Sequence, residues 1–299
     1  YTLSLHDALP ISQVESITGI SGHKLRIWER RYKFLKPKRT PTNIRFYTAD
    51  DLKLLINVGI LTRHGNRISK IGSLSSKEIS EKVIELLTDT DTDFEDDISS
   101  LMLSAINFDE NLFNNIFQRQ LVRSGFLATI TDLIYPFLNR VGVMWTASRI
   151  IPSQEHFITN LVRQKIISSI DSLQQPAHDA PEILLFLFEG EDHELPLLIA
   201  SFIIKDLGWK VYYLGQNIPL NDIVTIIKKR NIPTVMSMIT APQIDKVSNL
   251  IYDLISNTDV HLILSGSKKN IPNFENLETV SVVNNPKELI SQLHNLSNR

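Results

Sequence analysis

The octapeptide Glu189-Gly190-Glu191-Asp192-His193-Glu194-Leu195-Pro196 decides how the C-terminal third of the chain is read. The run before it, residues 183–188, is short, apolar and rich in aromatics. With Pro181 and Gly190 at its flanks it predicts a buried strand. Residues 197–207 after it are amphipathic, and Pro196 suits the first position of a helix. His193 is therefore expected in the turn from a strand into its helix, at the carboxyl edge of any parallel sheet built on that strand. In open α/β sheets, ligands bind along that edge.

The pattern repeats downstream. Strand-like runs recur at residues 210–214, 234–239, 261–264 and 279–283, with helical patterns between and after them at 220–230, 243–256 and 286–296. Such alternation predicts a flavodoxin-like, doubly wound parallel sheet of five strands. In that strand order the switch point falls between the first and third strands, beside His193 and Ser237.

Glu191-x-His193-x-x-Pro196 resembles the cobalamin-binding signature Asp-x-His-x-x-Gly. Ser237-Met238-Ile239 stands where that family has Ser-x-Leu, and Ser265-Gly266 where it has a Gly-Gly pair. The resemblance implies that His193 is the lower cobalt ligand, replacing the cofactor's own benzimidazole, and that Glu191 orients the ring through its other nitrogen. It also implies that Ser237 lines the slot for the displaced nucleotide tail, with Ser265 and Gly266 close to that tail. Two positions depart from the pattern. Glu191 is one methylene longer than Asp, and Pro196 stiffens a turn where the family has Gly.

Whole-chain numbers bound the rest. At 299 residues the chain is long enough for two or three domains. A hydrophobic content of 42% and a charged content of 21% are ordinary for a globular protein. The formal net charge of -2 means that any basic footprint for nucleic acid has to be local. Absence of cysteine excludes disulfides and thiolate metal sites and matches a cytoplasmic location. No apolar run is expected to reach the roughly 18 residues of a membrane span. The chain opens on Tyr1, and residues 1–10 resemble a translated sequencing adapter; they are read as a non-native leader and set aside.

Residues 11–17 carry a helical pattern, followed by the turn Thr18-Gly19-Ile20-Ser21 and a second helix from Gly22 to about Tyr32, with Leu25 and Trp28 on its apolar face. Two short helices joined by a Gly-containing turn predict a helix-turn-helix. The second helix holds Lys24, Arg26, Arg30 and Arg31 against one acid, Glu29. Residues 33–47 add Lys36, Lys38, Arg39 and Arg45 without an acid, and Pro37 and Pro41 make this a loop or wing. Asp50-Asp51-Leu52 then opens a helix with acids in its first turn, as the helix dipole favours.

Leu25-Arg26-Ile27-Trp28-Glu29-Arg30-Arg31-Tyr32, followed by Pro37, Arg39-Thr40, Arg45-x-Tyr47 and Asp51-Leu52, resembles the winged helix-turn-helix of mercury-resistance-type (MerR) regulators. Asn43 stands where that family has Gly, and Asn also tolerates positive φ. The resemblance implies double-stranded DNA as partner, with Lys24, Arg26, Arg30, Arg31, Lys38, Arg39, Arg45 and Tyr47 as the DNA-binding set. A basic face that is merely solvated is the alternative.

Residues 79–97 close on Asp89, Asp91, Asp93, Glu95, Asp96 and Asp97 and are expected to be an acidic, mobile linker that marks a domain boundary. Residues 98–175 are helical in period with breaks near 107–109, Gly125 and 149–152, which predicts a four-helix bundle. Within it, Trp145 precedes Glu155-His156 by the spacing Trp-x9-Glu-His. In proteins that join a MerR domain to a cobalamin domain, this element marks a helical cap over the cofactor's upper face. The resemblance implies that Trp145 packs on the 5′-deoxyadenosyl group and that Glu155, beside His156, accepts from its ribose hydroxyls. In light-sensing members the residue after the Trp can be a cobalt-capturing His; here it is Thr146.

The expected organisation is multidomain: leader 1–10, an all-α winged helix-turn-helix at 11–78, linker 79–97, helical cap bundle 98–175 and a Rossmann-like cobalamin-type domain at 181–299. The resemblance to the carotenoid-gene regulators of the MerR–cobalamin group covers nearly the whole chain from Ile11. It implies a cytoplasmic, non-enzymatic repressor that self-associates as dimer or tetramer on promoter DNA. Adenosylcobalamin between bundle and sheet would act as ligand, not reagent, with a protein antagonist as a further partner and no membrane. Two other readings use the same residues. One is a cobalamin-independent MerR-type regulator with a degenerate pocket, controlled by protein partners. The other is a corrinoid carrier for methyl transfer, against which the basic wing counts.

Overall fold

The computed structural model describes residues 9–32, 34–39, 43–89, 93–146, 150–240, 244–266 and 278–297. Residues 1–8 of the expected leader, Thr40 and Pro41 of the wing, and the side chain of Thr146 lie outside the described residues. The chain divides into two compact units, Tyr1–Leu161 and Val162–Arg299.

The first unit opens with α1 (Ile11–Thr18) and α2 (Gly22–Arg31). Gly19, at φ 69°, ends α1 in the left-handed region that other residues avoid. Ser21 caps α2 by accepting from the Lys24 N–H, and the Glu15 carboxylate accepts from the Gly22 N–H at 3.1 Å, which fixes the turn. The strands β1 (Lys38–Arg39) and β2 (Arg45–Phe46) pair antiparallel as a wing, with Asn43 at φ 64°. Next come α3 (Ala49–Arg63), opened by a Thr48–Asp51 capping box, α4 (Ile68–Ile71) and α5 (Ser76–Asp89). Leu9, assigned above to the leader, is fully buried and bridges to Tyr47, so it belongs to this fold.

The bundle comprises α6 (Phe94–Asn107), α7 (Glu110–Ala128), a π-helical turn at Thr129–Ile134, α8 (Tyr135–Thr146) and α9 (Pro152–Asp171), whose length carries the boundary between the two units. Phe108 in the left-handed region and Gly125 at φ 78° make the first two expected breaks. By length and composition alone the run Glu110–Trp145 could cross a membrane, contrary to the sequence expectation. Here it is interrupted at Gly125 and buries Phe113, Ile116, Phe117 and Phe137.

The described end of the acidic stretch, from Asp93 to Asp97, is helix cap and helix, and its last two acids are buried. Helix α5 runs to Asp89, and Asp93 caps α6 by accepting from the Asp96 N–H. Asp96 and Asp97 are buried because each has a cationic partner, Arg63 for Asp96 and Arg119 for Asp97, with the His64 ring a further neighbour of Asp96. Composition could not foresee those partners, which lie 22 or more residues away. Winged domain and bundle therefore share one unit, with α1 against α8 and α3 against α6.

The second unit is a parallel five-stranded sheet built from β3 (Glu182–Phe188), β4 (Lys210–Ile218), β5 (Thr234–Ile239), β6 (His261–Gly266) and β7 (Val280–Val283) in the order β4-β3-β5-β6-β7. This is the expected flavodoxin-like order. The helices are α10 (Glu194–Asp206), α11 (Leu220–Arg230), α12 (Ile244–Asn257) and α13 (Pro286–Ser297). Contacts pair α10 with α13 and α11 with α12. Leu184, Phe186 and Phe188 of β3 bury against Ile223, Ile227, Ile251 and Leu254 of the latter pair. A strand apolar on both faces needs a helical layer on each side.

Candidate functional site

The carboxyl ends of β3 and β5 meet at the switch point, where Phe188, Gly190, Glu191, Met238, Ile239 and Val247 line a shallow depression. The chain leaves β3 through Gly190, at φ 92°. That turn is held by Asn217, which accepts from the Gly190 N–H at 2.8 Å and donates to Asp192. His193 is the N-cap residue of α10. Pro196 is the third residue of that helix rather than the first, and an N–H there has no carbonyl to meet. The stiff residue is thus accommodated without loss of a helical hydrogen bond.

Glu191 is 7% exposed and its carboxylate is saturated. It accepts from the Thr240 hydroxyl at 2.7 Å, the Thr240 N–H at 2.8 Å and the His193 N–H at 3.1 Å. Its Oε1 also lies 2.6 Å from His193 Nδ1, and the Thr240 hydroxyl is 2.7 Å from the same nitrogen. A carboxylate that only accepts selects the tautomer with the proton on Nδ1. That leaves the Nε2 lone pair free, on a side chain that is 65% exposed. Among the described residues no cluster of three or more His, Asp or Glu could hold a bare metal ion. His193 is suited instead to be one ligand of a metal that arrives with its own equatorial donors.

Ser237 lies in β5 opposite Leu264, so Ser265 and Gly266 of β6 continue to the same edge. The Ser237 side chain is wholly buried, and its Oγ has no hydrogen-bond partner among the described residues. Such an orphan costs about 1–3 kcal/mol, which a polar group entering from the sheet edge would recover. The residue types and the orphan hydroxyl fit a corrinoid whose tail enters the sheet.

Trp145 is in the last turn of α8 and remains 46% exposed, while Glu155 and His156 open α9 and pair with each other at 2.9 Å.

In the winged domain Lys24, Arg26, Arg30, Arg31, Lys38 and Arg39 are exposed. Two of the expected phosphate contacts have a second task. Arg39 pairs with Glu29 at 2.9 Å, and Arg45 pairs with the other oxygen of the same carboxylate, binding the wing to α2. Burial draws the Glu29 carboxyl upward, but hydrogen bonds from Arg45 and Arg39 outweigh it and hold the group below its ordinary range. Tyr47, counted above in the DNA-binding set, has its ring fully buried beneath the wing. There its phenol is pushed up by burial and by the Glu29 charge. It packs the domain instead, together with Trp28.

Residues 9–78 match the family described as MerR HTH family regulatory protein, and residues 98–167 match the B12 binding domain. The chain joins a MerR-type DNA-binding domain to a B12-binding domain. Two relatives from Myxococcus xanthus have the same order of size. The HTH-type transcriptional repressor CarH is 27% identical over 218 residues, 71% of this chain and 72% of the relative. The HTH-type transcriptional repressor CarA is 25% identical over 222 residues, 71% of this chain and 69% of the relative. In fold the MerR–B12 chain is similar to the monomethylamine corrinoid protein of Methanosarcina barkeri, with a TM-score of 0.53 and 14% identity. That likeness covers 64% of this chain and 94% of the other. It concerns the fold alone.

Sequence reasoning missed Thr240 and Asn217. Both stand at the carboxyl ends of strands, and only the paired sheet shows which of many such polar residues meets Glu191 or Gly190.

Proposed function

We propose that this chain is a cytoplasmic transcriptional regulator of the repressor type whose assembly on promoter DNA is set by adenosylcobalamin. The observation that carries the reading is His193, held by Glu191 with Nε2 free at the switch point, in a chain that also carries a MerR-type domain. When bound, the cofactor would supply a cobalt centre able to take a protein ligand and a photolabile bond to its adenosyl group. His193 would hold the cobalt through Nε2, Glu191 and Thr240 would hold its tautomer, and Ser237, Ser265 and Gly266 would receive the tail. Trp145, Glu155 and His156 would face the upper ligand and exclude water from it. None of these groups is asked to do covalent chemistry, so the chain acts as a sensor and not as an enzyme.

The exposed cations of α2 and the wing supply affinity for the DNA backbone. A two-fold operator calls for a dimer or higher assembly, and a protein antagonist could act on the same surfaces. Absorbance titration of the purified protein with adenosylcobalamin tests the reading. Base-off binding is expected, with most affinity lost in His193→Ala and kept in His178→Ala, a change in the loop before β3. Equal binding by both variants, or none by the parent, would remove the cofactor. Promoter-fragment mobility shifts with and without cofactor then measure whether occupancy and oligomer size change together.

A further inference from the structure

His193 is followed by a residue with unusual partners. Glu194 is the first residue of α10, where a carboxylate would ordinarily turn back on the free N–H groups of its own helix. This one reaches outward. Its Oε2 pairs with Arg163 of α9, and its Oε1 accepts from the Tyr213 hydroxyl of β4 at 3.1 Å. Arg163 and Glu194 are both largely covered, with side chains 34% and 23% exposed.

The sheet is shaped to allow this. Between Tyr213 and Gly215 the pairing of β4 with β3 slips by a residue, a bulge that re-aims the side chains beside it. Gly215 is at φ 83°, and a Cβ there would lie 3.4 Å from Glu194 Oε1. The strand thus turns its phenol toward the carboxylate and clears space for it. Burial, then the Glu194 charge and hydrogen bond, push the Tyr213 phenol well above its ordinary value, which keeps it a donor.

Glu191 and Thr240 hold the His193 ring from the sheet side, and Glu194 is the residue that ties the first turn of α10 to α9 and β4. His193 makes no side-chain capping bond, and Pro196 has no N–H. Adjacent Cα atoms are about 3.8 Å apart, so a shift of Glu194 is passed directly to His193. We propose that Arg163, Glu194 and Tyr213 form a positioning cluster that fixes the first turn of α10 and with it the reach of His193 Nε2 toward a corrinoid cobalt. This rests on the cobalamin reading above and adds to it the residues that set the strength of the axial bond. A simple salt bridge would contribute only to stability; a positioning cluster also controls ligation.

The test uses the full chain with cob(II)alamin. Its paramagnetic resonance spectrum shows nitrogen superhyperfine splitting whenever an axial nitrogen is bound, and labelling the protein's histidines with nitrogen-15 changes the pattern only if that nitrogen is His193 rather than the cofactor's own benzimidazole. The parent protein is expected to show that splitting. Arg163→Ala and Glu194→Gln are expected to bind about tenfold more weakly, with the splitting reduced and the far-UV circular dichroism unchanged. Arg163→Lys should restore part of both, and Tyr213→Phe, which keeps the packing, should give an intermediate loss. Parent-like affinity and splitting in the Arg163, Glu194 and Tyr213 variants would overturn the cluster while leaving the cofactor reading intact. A parent without cobalamin affinity would overturn both.

Discussion

Arg63, the last residue of α3, donates from Nε to the carboxylate of Asp96 at 2.6 Å, joining the MerR-type domain to the first helix of the bundle. The same carboxylate takes His64 Nε2 at 2.6 Å, and Arg63 also donates to Ser99 at 3.0 Å. Nearby, Arg140 of α8 holds Glu95. The Asp96 side chain is 2% exposed, so these partners take the place of water around its carboxylate. Asp96→Ala would leave Arg63 and His64 partly covered without an acceptor. The expected cost is about 2 kcal/mol, read from urea unfolding, with faster proteolysis between α5 and α6. An unchanged midpoint would show that the two domains do not rely on this contact.

DNA binding should separate the cations by role. Arg26→Ala removes an exposed charge and should flatten the salt dependence of promoter binding by about one unit. Arg45 acts through Glu29, so Arg45→Ala should weaken binding clearly in the parent and much less in a Glu29→Gln background. The double-mutant cycle measures that coupling. Additive effects would return Arg45 to the role of a plain phosphate contact.

The wing should also respond to acid. Glu29 is held below its ordinary value of 4.5 by Arg45 and Arg39. A depressed carboxylate stabilises the fold above the unfolded pKa and loses that contribution as pH falls through the folded value. Wing order, followed by amide exchange at residues 43–47, should therefore be steady at neutral pH and fall only below about pH 4.5. Glu29→Gln should remove this acid limb.

Ser237→Ala should have opposite effects on the free and loaded protein. Deleting a buried hydroxyl that has no partner should stabilise the free protein by about 1 kcal/mol. Loss of a polar contact to the nucleotide tail should weaken cobalamin binding at the same time. Thermal melts with and without cofactor read both signs, and a shift in one direction only would mean that Ser237 does not meet the tail.

Thr240→Val tests the support of the imidazole. It removes a donor to Glu191 and a neighbour of His193 Nδ1 while keeping shape and the backbone N–H. Cobalamin affinity is expected to fall about tenfold, with little change in stability. Parent-like affinity would leave Glu191 alone as sufficient.

What the sequence determined by itself was local and periodic. Short apolar runs between helical patterns placed all five strands of the second unit, and 234–239 and 220–230 agree with β5 and α11 residue for residue. The Gly-containing turn and basic helix placed α1 and α2, and residue types at fixed spacing picked out His193, Glu191 and Ser237. These features depend on neighbours within a few residues, where propensity and spacing act. Tertiary structure decided everything that depends on distant partners. Asp96 and Asp97 left the solvent because cations from α3 and α7 meet them, and Tyr47 left the DNA face because Leu9 and the wing cover it. The support of His193 by Thr240, 47 residues away, exists only once β5 lies beside β3. Charge and aromatic character are written in the chain, but whether a side chain is solvated or paired is fixed by what packs against it.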